Sequence, residues 1–87
     1  MTLVHPGAIL KQEIEGRGFS VTDAAQILEV TRSNLSNIIN EKTSISPLMA
    51  LKLEAKFGGS ARLWMQLQST YELDIARKKF NEQLEVA

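Results

Sequence analysis

The stretch "TRSNLSNIIN", Thr31 to Asn40, concentrates the side chains of this sequence that could do chemistry. Leu35, Ile38 and Ile39 recur at the i, i+3, i+4 spacing of one helix face. The remaining positions are Ser33, Asn34, Ser36, Asn37 and Asn40, with Arg32 in the first turn. Ser and Asn are mediocre helix formers, because their short side chains compete for backbone hydrogen bonds. A face that meets only water is better served by Glu, Lys, Gln or Arg. Short polar side chains instead let a helix axis approach the base edges of a major groove. There Asn pairs with the N6/N7 edge of adenine and Arg forks onto guanine O6 and N7. With about 100° between successive residues, Ser33, Asn37 and Asn40 project together opposite Leu35, flanked by Arg32 and Asn34. The competing reading is a solvated face with no partner.

Other chemistry is scarce. Cys is absent, which excludes disulfides and thiolate metal sites. His5 is the only histidine and reads as a packing or capping residue. With no Gly-rich phosphate loop either, catalysis has almost nothing to work with, and no metal or other cofactor is expected. Glu13 and Glu15 read as a solvated face, with a basic protein partner as the alternative; "RKKF", Arg77 to Phe80, reads as a solvated helix end. Ten basic and ten acidic residues cancel. The distribution is less even: Val30 to Tyr71 holds five basic residues (Arg32, Lys42, Lys52, Lys56, Arg62) and two acidic ones (Glu41, Glu54), net +3. Such a chain can hold nucleic acid with one face and another partner with a second.

The elements that must position these residues are helices. Eighty-seven residues, 44% hydrophobic and 23% charged, make one small domain, 1–87. No apolar run would cross a bilayer and no signal peptide opens the chain, so the expected address is cytoplasmic. The pattern predicts five helices and no strand. The first runs from about Pro6 to Arg17, with Ile9, Leu10 and Ile14 inward and Gly18 as its stop. The second follows Ser20, with Asp23 completing a capping box, and turns Ala24, Ala25, Ile27 and Leu28 inward. After Glu29 to Thr31 comes the polar helix, capped by Thr31. The fourth opens on Ser46 and Pro47, points Leu48, Met49, Leu51, Leu53 and Phe57 inward, and stops at Gly58-Gly59. The fifth begins after Ser60 and reaches about Phe80, with 81–87 a frayed tail. Its apolar set, Leu63, Trp64, Leu67, Tyr71 and Ile75, exceeds what one side of so small a bundle readily buries, which points to a symmetric dimer seam.

Two short helices joined by a three- or four-residue turn, the second with a polar face, describe a helix-turn-helix reader of DNA. The stretch from Phe19 to Leu73, with "HPGAILKQEI" ahead of it, resembles the HigA antitoxin family. These are XRE/Cro-type helix-turn-helix proteins, also known as VapI-like plasmid-maintenance antidotes. The marks are "HPG" (His5, Pro6, Gly7), "NEKTSIS", "ALKLEAKFG" and "LWMQLQSTYEL". The resemblance implies an all-α five-helix bundle of the lambda-repressor-like type. It further implies a homodimer that binds a palindromic operator in double-stranded DNA, represses its own promoter, and neutralises a HigB-type mRNA-cleaving toxin. A stand-alone XRE repressor without a toxin is the alternative. By position, Arg32, Ser33, Asn34 and Asn37 would read bases. Asn40, Lys42 and Ser44 would touch phosphate, and Thr22 would meet the backbone at the start of the second helix. Leu63, Trp64, Leu67 and Tyr71 are the expected dimer contacts. Glu29 and Glu41 stand where the family usually has Gly, which implies either a strained residue or a reshaped turn.

Overall fold

His5, Ser20, Thr31 and Ser46 each open a helix by accepting a backbone N–H from the first turn, in the computed structural model that describes residues 4–86. The elements are α1 (Pro6–Gly16), α2 (Val21–Leu28), α3 (Arg32–Ile39), α4 (Pro47–Phe57) and α5 (Ala61–Val86), with no strand among the described residues. Pro6 and Pro47 sit at the first helical position, where the missing N–H is no loss. Ser20 and Asp23 form the reciprocal capping box.

The first three helices end alike. The N–H of Phe19 reaches back to Ile14, that of Val30 to Ala25, and that of Lys42 to Asn37, at 3.1, 3.0 and 2.8 Å. The residue before each donor is left-handed: Gly18 at φ 77°, Glu29 at 58° and Glu41 at 63°. All three are Schellman closures, which satisfy carbonyls the helix would otherwise leave open. The chain therefore keeps the turn that favours glycine and forces two glutamates to adopt it.

Leu10, Ile14, Ala24, Leu28, Leu35, Ile38, Ile45, Met49 and Leu53 form one buried cluster, with Phe19, Val30, Phe57, Trp64 and Met65 packed on its rim. Ile9 and Ile27 are only half-buried. Two expectations for α4 fail: Leu48 and Leu51 are 63% and 55% exposed. The buried stripe is Met49, Ala50 and Leu53 with half-buried Phe57, and at 100° per residue both leucines stand roughly 150° from its centre. An eleven-residue helix with one neighbouring layer can bury one face only.

The "HPG" motif explains itself physically. His5 Nδ1 accepts from the Gly7 N–H at 2.8 Å, Pro6 is buried, and a Cβ on Gly7 would collide with the Ile38 carbonyl oxygen. Gly7 thus lets α1 lie backbone-to-backbone against the end of α3. The His5 ring meets Tyr71 of α5 edge-on, 4.8 Å between centroids.

The last helix does not end near Phe80 but runs to Val86. Lys78, Lys79, Glu82, Gln83 and Leu84 are good helix formers, and no Gly or Pro interrupts them. Of the expected tail, Ala87 lies outside the described residues.

Candidate nucleic-acid interface

The polar face of α3 is held in place from three directions. Thr31 Oγ1 accepts from the Asn34 N–H at 3.0 Å, which fixes the first turn. Leu35, Ile38 and Ile39 anchor the opposite side in the core. At the far end the Asn37 carbonyl accepts from both Lys42 and Thr43, at 2.8 and 3.3 Å. The turn between α2 and α3 is fastened by Lys52 of α4, whose Nζ donates to the Glu29 carbonyl at 3.0 Å. An eight-residue helix with few strong formers is marginal alone; here capping and burial supply its stability.

On this frame Arg32, Ser33, Asn34 and Asn40 are exposed and Asn37 is half-buried. Ser33, Asn34 and Asn37 line one wall of a concavity of about 540 Å³, which Thr43, Ser44, Ser46, Leu48 and Lys52 close on the other side. Asn40 turns back along α3 and donates its amide to Ser36 Oγ at 3.2 Å. Arg32, Lys42 and Thr22 are exposed and lie outside the lining of the concavity. The expected site residues thus separate into a gathered set (Ser33, Asn34, Asn37, Ser44) and a flanking set (Arg32, Asn40, Lys42, Thr22).

The loop between α3 and α4 is tied to α5. The buried Gln68 accepts the Ile45 N–H on Oε1 at 2.9 Å and donates Nε2 to Glu72 at 3.3 Å. The same Glu72 oxygen accepts the Ser44 hydroxyl at 3.3 Å. Sequence reasoning missed Gln68 and Lys52. The available signals were two amides, Gln66 and Gln68, inside the apolar run of α5 and one lysine inside that of α4.

On α5, Leu63 is exposed while Trp64, Leu67 and Tyr71 are half-buried. Trp64 packs on the core. Leu63, Leu67 and Tyr71 line a shallow depression of about 290 Å³ with Val4, Thr70 and Asp74. Glu13 is not a free acid: Arg17 pairs with it at 2.7 Å, donates to the Phe57 carbonyl at 2.7 Å and lies 4.7 Å above the Phe57 ring. Glu15 is exposed.

A short, rigid helix presenting Ser, Asn and Arg beside a second capped helix defines a helix-turn-helix protein of the DNA-binding, non-enzymatic kind. The helix-turn-helix family profile matches residues 10–64. Virulence-associated protein A' of Dichelobacter nodosus is 46% identical over 70 residues; the alignment covers 79% of this chain and 61% of that protein. An addiction module antidote protein of the HigA family from Coxiella burnetii superposes with a TM-score of 0.89 at 31% identity, covering 98% and 94% of the two chains. The antitoxin HigA of Pseudomonas aeruginosa, solved with the higBA promoter, gives a TM-score of 0.89 at 35% identity over 97% and 92%. The chain belongs to the HigA-like branch of the XRE-type helix-turn-helix family. No helix among the described residues is long and apolar enough to cross a membrane.

Proposed function

We propose that the protein is the antitoxin of a HigBA-type module: a cytoplasmic homodimer that binds a palindromic operator, represses its own promoter and neutralises an mRNA-cleaving toxin. The observation that carries the DNA half is the rigid row of Arg32, Ser33, Asn34 and Asn37, exposed or half-exposed along α3. It is supported by the relative solved with its promoter. In this reading Asn34 and Asn37 meet base edges and Arg32 takes a guanine or a flanking phosphate. Thr22, Asn40 and Lys42 fix the register on the backbone. Ser44 exchanges Glu72 for a phosphate oxygen on binding.

One protomer offers few base contacts, so useful specificity needs two half-sites about one helical turn apart. Leu63 and Leu67 are the outward apolar groups of the proposed seam, with Tyr71 at its edge and Trp64 behind them. For the toxin, acidic groups away from α3 match a partner basic enough to grip RNA. Glu15 is the free member of the early pair, since Glu13 is held by Arg17.

The test is footprinting of the DNA upstream of the reading frame. Asn37→Ala should relax sequence preference by roughly 1–3 kcal/mol. Lys42→Ala should weaken all duplexes alike and flatten the salt dependence. Parental footprints from both variants would remove α3 from the interface. Leu67→Lys should yield monomers in sedimentation, and the toxin half is tested by co-expression with the neighbouring reading frame. A neighbour that this chain neither binds nor detoxifies leaves the stand-alone repressor.

A further inference from the structure

The concavity beside α3 has one wall that polar readout does not explain. Ser33, Asn34 and Asn37 face it from α3, and Thr43 and Ser44 from the loop, yet Leu48 stands in it 63% exposed. A lone exposed leucine is ordinary on a protein surface. Of the exposed large apolar side chains among the described residues, however, Leu48 alone lines this concavity. Its position is also rigid. Ser46 caps α4 and Pro47 sets its first turn, Met49 and Leu53 root the opposite face in the core, and Lys52 fastens the same helix to the Glu29 carbonyl.

Along the major groove each base pair displays donors and acceptors, and the one apolar group is the C5-methyl of thymine. We infer that Leu48 is a specificity-determining residue, packing on the methyl of a thymine that flanks the bases faced by Asn34 and Asn37. The inference rests on the operator-binding reading and deepens it: a side chain of α4, outside the helix-turn-helix pair, adds apolar sequence information to the polar readout of α3. Leu51 supplies the internal control, since it is nearly as exposed, at 55%, and takes no part in the concavity.

The experiment uses the full chain, Leu48→Ala and Leu51→Ala. The probes are duplexes of about 30 base pairs, room for two half-sites a helical turn apart, selected by the parent protein from a randomised library. Each thymine is then replaced singly by uracil, which removes only the methyl. One thymine in each half-site should weaken the parent about fourfold when replaced, the worth of burying one methyl. Leu48→Ala should be indifferent to that replacement, and Leu51→Ala should behave as the parent. Selected duplexes on which no uracil separates the parent from Leu48→Ala would overturn the inference and leave operator binding standing. The same holds if Leu48→Ala weakens every duplex equally, the mark of a sugar contact. A library that never enriches would overturn the operator reading and this inference with it.

Discussion

The eight residues of α3 bury three apolar side chains and turn the other five partly or wholly outward, whereas α5 runs for 26 residues and from Ala76 to Leu84 every one of them is exposed. Alone, α3 would be too short and too rich in Ser and Asn to persist. It owes its place to what surrounds it: the Thr31 cap, the closure through Glu41, and the close approach of α1 at Gly7. The helix α5 persists through length and propensity, and contributes a few specific tethers such as Gln68. A helix held from outside can give its whole free face to a ligand. One that holds itself can run past the body without packing.

The largest expected effect breaks the seating of α3. In α1, Gly7 and Gly16 are both helical glycines, and helix propensity alone favours Ala at each by roughly 0.5–1 kcal/mol. A Cβ at Gly16 meets nothing, while one at Gly7 meets the Ile38 carbonyl. Gly7→Ala should therefore destabilise by about 3 kcal/mol and Gly16→Ala should stabilise, as read from urea midpoints. Two shifts of the same sign would show that α1 does not press on α3.

Next in size is Gln68→Ala, which leaves the buried Ile45 N–H without its acceptor. The expected loss is about 1–3 kcal/mol. Hydrogen exchange at Ile45 should rise before that of the α2 core amides. A variant as stable and as protected as the parent would mean that α5 does not hold the loop.

Much of this contrast was legible in the residues. The helix starts could be read because Ser20, Thr31 and Ser46 act locally, within three residues of their partners. The polar face could be read because Ser and Asn are out of place on an ordinary helix surface. The family marks carried the architecture. What escaped was non-local. Leu48 and Leu51 sit in an apolar run, and only the position of the neighbouring layer decides which of its residues face inward. Lys52 and Gln68 work across 23 residues of chain each. Glutamate at a turn that favours glycine left two outcomes open, and closing the helix backbone decided between them.

That decision sets up the third effect. Glu29 and Glu41 hold left-handed conformations at φ 58° and 63°, where a side chain costs about 1–2 kcal/mol. Glycine loses part of that gain through its freer unfolded chain. Glu29→Gly and Glu41→Gly should each stabilise by about 0.5–1 kcal/mol, and Glu29→Ala, which removes the charge and keeps the Cβ, should not. Equal gains from Gly and Ala at Glu29 would assign the cost to charge instead of backbone. Glu41→Gly should also strengthen DNA binding, most at low salt, by removing a negative charge at the end of α3.

The smallest effect is the sharpest test of the idea that α5 supports itself. Ala76 to Leu84 are all exposed, and Leu73, Phe80 and Leu84 form an apolar line on the side of α5 away from the core. Ending the chain at Ala76 removes helical backbone but no core contact made by a described side chain. Surface changes away from caps, core and networks alter stability by no more than about 0.5 kcal/mol. The truncated chain should therefore unfold within about that margin of the parent when both are dilute enough to be monomeric. If the outer turns instead take part in the proposed dimer, the loss will grow with protein concentration, as association requires. A loss of about 2 kcal/mol that is independent of concentration would show that the outer half of α5 stabilises its own protomer, and the contrast with α3 would fail.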